Sequence, residues 1–205
     1  MFSGFIETTL KIILEFVETF GYLGVFFMTL LESTFLPIPS ELTLIPAGYL
    51  ISKGTMHVTP TLFASVTGTL LGSLINYMIA YYFGRKLFIN YGKYFFIKPG
   101  QLHSLELFFN KYGAVSTFFG RMLPGIKHFI SFPAGLARMN IRLFCTYTVL
   151  GSFIWVSFLL YLGRVIDENE ELISKYISRF NFFIIFIVVL TIILAYTKGR
   201  NKKKR

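Results

Sequence analysis

Three runs of this chain carry no Asp, Glu, Lys or Arg: Val58–Gly84, Leu143–Gly163 and Phe180–Thr197. A helix needs roughly 20 apolar residues to cross the hydrocarbon core of a bilayer, and each run is about that long. The pattern predicts spanning helices over 59–84, 142–163 and 180–197. Other apolar stretches are cut by charges into shorter arms. Thirteen residues separate Glu18 from Glu32, and 11 separate Glu41 from Lys53. Nine separate Lys111 from Arg121, and ten separate Lys127 from Arg138. Arms this short suit re-entrant hairpins over 22–51 and 112–138 better than full crossings. Two full crossings per hairpin would leave every loop on the same side, so loop charge does not decide between them.

Residues 5–20 follow a different period. Glu7, Lys11, Glu15 and Glu18 recur at spacings of four, four and three, which makes one polar stripe on a helix. Ile12, Ile13, Leu14, Phe16 and Val17 occupy its other faces. This predicts an amphipathic helix lying in the membrane interface. The alternative is a first transmembrane helix with its stripe turned inward.

The two broken elements share a pattern. Residues 37–48 read P-I-P-S-E-L-T-L-I-P-A-G, and residues 124–135 read P-G-I-K-H-F-I-S-F-P-A-G. Pro37, Pro46, Ala47 and Gly48 reappear 87 positions later as Pro124, Pro133, Ala134 and Gly135. Residues 71–85 and 150–164 share Leu-Gly-Ser and Tyr-x-Gly-Arg at an offset of 79. Each copy is thus a broken element followed by a spanning helix. Pro37, Pro39, Pro124 and Gly125 are the expected hairpin tips, because proline removes a backbone donor and clashes with the preceding turn. Pro46 with Gly48, and Pro133 with Gly135, are expected to break or bend the returning arms. An odd number of crossings per copy puts the two copies in opposite orientations. The expected fold is an all-α integral membrane protein, one membrane domain over 1–205. Repeat 1 covers 21–85 and repeat 2 covers 112–164, joined by a basic loop at 86–111. A C-terminal helix at 180–197 and a basic tail at 198–205 complete it.

Composition agrees: 54% of residues are hydrophobic and 15% charged, against about 25% charged in soluble domains. The start, M-F-S-G-F-I-E, lacks a basic n-region and a small-residue cleavage site, so no removable signal peptide is expected. The net charge of +10 is concentrated. Lys198, Arg200, Lys202, Lys203, Lys204 and Arg205 form the tail, and Arg85, Lys86, Lys93, Lys98 and Lys111 lie at the central loop. Both segments then belong on the cytoplasmic side, which explains the charge better than nucleic-acid binding does. With the C-terminus cytoplasmic, 51–58 and 164–179 lie outside. Cys145 is the only cysteine, so neither an intrachain disulfide nor a multi-cysteine metal site is available. His57 and His103 have no metal-ligand spacing around them. No metal or cofactor is expected.

Glu32, Glu41, Arg121 and Lys127 lie inside the broken elements. A charge at the centre of a membrane helix costs roughly 2.5–3.5 kcal/mol on insertion scales. Hairpins entering from opposite faces would bring two carboxylates to two cations near the midplane. The plainer reading is snorkelling residues or structural ion pairs. Arg121 offers a planar fork suited to phosphate, and Lys127 a mobile point charge. Glu32 and Glu41 are candidate proton carriers. A phosphate-bearing lipid suits such a site, because head group and chain meet different surroundings. His128, beside Lys127, is a candidate relay or a structural residue. Asn76 is expected to bond another helix. Trp155 is expected to serve packing or interfacial anchoring. Gly72-Ser73 and Gly151-Ser152 suit close helix contact.

The chain also resembles a known family over nearly its whole length. E-S-T-F-L-P-I-P-S-E (32–41), P-A-G (46–48), G-S-L-I-N-Y-M-I-A-Y-Y-F-G-R (72–85) and F-G-R-M-L-P-G-I-K-H-F-I-S-F-P-A-G (119–135) look like the DedA family, also called VTT or SNARE-associated-Golgi domain proteins. The resemblance implies two facing re-entrant hairpins and dependence on proton-motive force. It implies lipid translocation, including return of undecaprenyl phosphate across the bacterial cytoplasmic membrane and movement of phospholipids. The family's essential acids match Glu32 and Glu41, and its first essential arginine matches Arg121. Lys127 stands where the family has a second arginine, keeping the charge and losing the bidentate geometry.

The expected function is a flippase- or scramblase-like translocase of a phosphate-bearing lipid, undecaprenyl phosphate first and a glycerophospholipid second. An enzyme such as a lipid phosphatase would need a histidine nucleophile supported by an aspartate. His128 follows Arg121, but the only aspartate is Asp167. An assembly factor would leave the tip charges without a role. The pattern does not fix the oligomeric state, a homo-oligomer included.

Overall fold

The computed structural model describes residues 2–34, 39–91, 99–123, 127 and 129–167. Six helices occur among them: α1 (Phe2–Ser33), α2 (Glu41–Ser52), α3 (Val58–Tyr91), α4 (Pro99–Met122), α5 (Ser131–Leu136) and α6 (Ile141–Asp167). No strand occurs among the described residues. Three stretches are long and apolar enough to cross a membrane: Ile12–Ser33, Val58–Gly84 and Ile141–Val165. The second and third coincide with two of the expected spans. The expected helix at 180–197 and the basic tail lie outside the described residues, as do Pro37, Pro124, Gly125 and His128. Contacts group Met1–Arg164 into one unit, to which the description below applies.

One expectation about boundaries is met and a second is corrected. The first concerns the N-terminal element. The division between residues 5–20 and the arm starting at 22 is present at Gly21 (φ 56, ψ −131), a non-helical residue where two helices meet within α1. Glycine adopts such a conformation without a Cβ clash. The segment beyond Gly21 is about 18 Å long at 1.5 Å per residue, short of the roughly 30 Å hydrocarbon core. The second concerns the basic loop at 86–111, most of which is helical. α3 continues to Tyr91 and α4 starts at Pro99. Charge marks where a chain leaves hydrocarbon, whereas backbone hydrogen bonding decides where a helix ends. Pro99 suits a first helical position, where its missing N–H leaves no bond unmade.

The Pro-Ala-Gly motifs also act differently from expectation. α2 runs unbroken through Pro46, and Pro133 is the third residue of α5. Pro133 sits in the first turn, where no intrahelical N–H bond is lost. The glycines serve close packing. A Cβ at Gly48 would overlap the Leu160 carbonyl of α6 and lie 2.9 Å from the Gly163 Cα. A Cβ at Gly135 would overlap the Tyr77 carbonyl of α3. The helices α2 and α5 therefore each pack on the long helix of the other copy. Small residues allow such approach where no hydrophobic force draws helices together. The two crossings are not equivalent. Leu160 and Gly163 correspond in the repeat to Tyr81 and Gly84, but Gly135 meets Tyr77 and Ala80, one helical turn away. The shift is about 5.4 Å.

Within each copy the duplicated Leu-Gly-Ser behaves as expected. Gly72 of α3 faces Leu30 and Ser33 of α1, and Gly151 of α6 faces Phe118 and Arg121 of α4. α2 and α5 end in the same capping pattern. Gly54 and Thr55 N–H groups donate to Ile51 and Leu50, and those of Arg138 and Met139 donate to Gly135 and Ala134. This cap needs a left-handed residue, normally glycine. Gly54 (φ 76) supplies it in the first copy and Arg138 (φ 53) in the second. Val25, Leu44, Ala47, Val156 and Leu160 form one buried cluster from α1, α2 and α6. Tyr77, Phe109, Ala134 and Phe144 form another from α3, α4, α5 and α6. Large apolar side chains such as Phe63, Tyr82, Phe119 and Tyr161 face outward, as a protein in hydrocarbon requires.

Candidate functional site

Glu32, Arg121 and Lys127 converge on one cavity, which Glu41 does not line. Glu32 is in the last turn of α1, and Ser40 and Glu41 stand at the start of α2. Arg121 is in the last turn of α4, and Lys127 follows in the turn before α5. Glu32, Glu41, Arg121 and Lys127 are all buried. Lys127 Nζ donates to Glu32 Oε1 at 2.9 Å and also to Ser40 Oγ. A buried pair of this kind holds only if its charges are paired and its remaining donors satisfied. Ser40 meets part of that demand. Its hydroxyl also accepts from Trp155 Nε1 at 3.2 Å, so it makes no cap bond to the α2 backbone.

Arg121 turns back toward its own copy. Nη1 donates to the Lys127 carbonyl at 3.1 Å, and Nη2 to Ser131 Oγ at 2.7 Å. Its Nε is buried and has no hydrogen-bond partner among the described residues. The Phe144 ring lies 5.8 Å from the guanidinium, and the Trp155 ring 5.7 Å from Lys127 Nζ, both within cation–π range. Glu41 sits in the first turn of α2, where the helix dipole favours a carboxylate. It has no ion-pair partner among the described residues. Among the described residues, the expected meeting of two acids with two bases gives one ion pair, Glu32 with Lys127. Arg121 lies beside it, and Glu41 stands apart from any base described.

The cavity is lined by Thr29, Glu32, Ser33, Ser40, Leu44, Thr69, Arg121, Lys127, Ser152, Trp155 and Val156. Its volume of about 20 Å³ holds roughly one water and is too small for a phosphate group. No group of three or more His, Cys, Asp or Glu residues capable of holding a metal occurs among the described residues.

Sequence reasoning missed two participants and placed a third well. Asn76 bonds another helix, donating from Nδ2 to the Ser33 carbonyl of α1 at 3.0 Å. Trp155, expected to serve only packing or anchoring, donates into the site. A signal for it existed, because Trp155 and Asn76 hold the same position in the two Leu-Gly-Ser repeats. Both supply a side-chain N–H to a residue that lines the cavity. Ser40 also holds the same position as Lys127, 87 residues earlier, and the two side chains touch. Ser131 had no counterpart that would have marked it.

Comparison with known proteins agrees with this picture. The VTT domain model matches residues 38–165. The uncharacterized membrane protein YkoX of Bacillus subtilis is 34% identical over 198 residues, covering 95% of this chain and 87% of its own. An alkaline phosphatase-like protein of Lactococcus lactis subsp. lactis is 32% identical over 194 residues, covering 90% and 89%. Undecaprenyl phosphate transporter A of B. subtilis is 33% identical over 184 residues, covering 90% and 91%. No solved structure matches the chain. With the VTT domain model matching more than half of the chain and such similarity along most of its length, this membrane protein belongs to the DedA family.

Proposed function

We propose that this protein carries a phosphate-bearing lipid across the bacterial cytoplasmic membrane, and that undecaprenyl phosphate fits best. The observation that carries the reading is the pair of buried cations, Arg121 and Lys127, on one cavity among apolar helices. Only one of them is held by a carboxylate there. A phosphate monoester brings up to two negative charges. It competes with Glu32 for Lys127 and offers acceptors to the unpartnered Arg121 Nε. Glu32, once parted from Lys127, then takes up a proton, because a charge among buried neighbours is costly when its ion pair opens. Phosphate binding and proton uptake are coupled in this way, with Glu41 as the second carboxylate of the relay. The relative named undecaprenyl phosphate transporter A supports the choice of lipid.

The inverted repeat and re-entrant hairpins belong to the same proposal. The contact between Ser40 and Lys127 supports it, because equivalent positions of two related elements meet only near the axis relating them. The short arms on either side of the cavity support it too. The C-terminus then lies in the cytoplasm.

The test is translocation of radiolabelled undecaprenyl phosphate in liposomes with an imposed pH gradient. Wild type is expected to move the lipid between leaflets faster with the gradient. Equal rates for wild type and Arg121→Ala would refute the phosphate site. Release of inorganic phosphate in the same assay would favour a phosphatase instead. In a Cys145→Ser background, single cysteines at Lys53 and Lys98 are expected to label from opposite sides, and labelling from one side refutes the topology.

A further inference from the structure

The described residues that line the cavity are buried except Thr69 and Trp155. Trp155 of α6 is half-buried, with its indole N–H turned into the site and bonded to Ser40 Oγ. The other side of α6 faces outward: Phe153, Ile154 and Phe158 are 49%, 44% and 49% exposed. The Phe158 ring lies 5.9 Å from the Trp155 ring, so the indole links the polar cavity to an apolar outer surface. Phe144, against Arg121, is fully buried. Asn76, at the repeat position equivalent to Trp155, is 2% exposed and bonded to a backbone carbonyl. The two copies therefore differ at this position: one carries a buried amide and the other a half-exposed aromatic.

Resting on the translocation reading, we propose that Trp155 is the lateral gate of the site. The phosphate head group passes its indole to reach Lys127 and Arg121, while the hydrocarbon chain stays on the exposed apolar face of α6. Ser40 is the latch. Its oxygen accepts from both the indole and Lys127, and a hydroxyl has only two acceptor lone pairs. Swinging the indole away removes one partner of Ser40. Drawing Lys127 to a phosphate removes the other. Gate opening and head-group binding are thus linked through one oxygen. The occupant is an amphiphile with a compact anionic head, since the cations demand the charge and the outward aromatics accept only hydrocarbon.

Trp155 is the only tryptophan in the chain, so intrinsic emission of the full-length protein reports the gate directly. In phosphatidylcholine nanodiscs, farnesyl phosphate is expected to shift the emission to the blue in a saturable way, as the indole leaves the polar cavity for hydrocarbon. Farnesol, with the same chain and no phosphate, is expected to leave it unchanged, and Arg121→Ala to abolish the shift. Lipids brominated on their acyl chains are expected to quench the farnesyl phosphate-bound state more than the unbound one. Trp155→Phe keeps a ring but loses the latch. It is expected to raise translocation without a pH gradient by about threefold to tenfold, the weight of one hydrogen bond. Identical emission with phosphate and alcohol, or no added quenching on binding, overturns the gate. If wild type still moves the lipid under those results, translocation stands and only the gate falls. If wild type moves no phosphate lipid at all, the translocation reading falls, and the gate with it.

Discussion

Replacing Lys127 by methionine removes the base of the buried pair and leaves Glu32 without it. The two groups are 2.9 Å apart, with side chains 9% and 5% exposed. At an effective dielectric near 20, unit charges at that separation attract by about 6 kcal/mol. Desolvation of both groups has already offset much of this, so the net worth of the pair is small. Removing one member of a buried pair is different, and costs about 3–5 kcal/mol. For a chain of this size each kcal/mol moves the midpoint by roughly 2–4 °C, so Lys127→Met is expected to lower it by about 10 °C. The double variant Glu32→Gln/Lys127→Met removes both charges. Ser40 keeps its bond from Trp155, so the remaining deficit is about one hydrogen bond, or roughly 1 kcal/mol. The assay is thermal loss of the helical circular dichroism signal in detergent, across the two single variants and the double. Recovery of most of the lost stability in the double variant is the expected result. A loss below about 1 kcal/mol in Lys127→Met, as for an exposed pair, would refute the reasoning. So would a double variant no more stable than the single.

Three other outcomes test neighbouring parts of the argument. Arg121→Lys keeps the charge but loses the fork that reaches both the Lys127 carbonyl and Ser131. It is expected to lower the thermal midpoint, by about 1.5–3 kcal/mol of stability for a bond to a charged group, and to slow translocation about tenfold or more. Gly48→Ala pushes a Cβ onto the backbone of α6, and overpacking of this kind is expected to cost about 1–3 kcal/mol. Gly54→Ala meets nothing within 4 Å, so only its left-handed conformation opposes it, at about 1–2 kcal/mol. Translocation in liposomes is expected to suffer at Gly48 and not at Gly54. Arg138→Gly relieves a left-handed arginine and is expected to raise the melting temperature, with a gain of about 1 kcal/mol. An unchanged or lower midpoint would show that the stacking of Arg138 on Tyr81 outweighs the backbone cost.

The sequence by itself determined the apolar spans, because transfer into hydrocarbon depends on each residue and adds along a run. Val58–Gly84 and Leu143–Gly163 are legible for that reason, and both fall within observed helices. It also marked the charged residues that gather at the cavity. Glu32, Arg121 and Lys127 stand out as costly in apolar sequence, and the repeated proline pattern lies close to them in the chain. The ends of α3 and α4 were not legible, because helices continue into water when their hydrogen bonds do. Gly48 and Gly135 were read as breaks because a glycine beside a proline looks the same whether it ends a helix or admits another one. Only tertiary structure decided the partners. Which acid Lys127 pairs with, where the Arg121 fork points and what the Trp155 N–H reaches depend on how separate segments dock. Docking is set by steric fit at positions such as Gly48 against Gly163 and Gly135 against Tyr77. A one-turn difference between those crossings moves side chains by about 5.4 Å, more than the length of a hydrogen bond. Near-identical motifs in the two copies therefore end in different contacts.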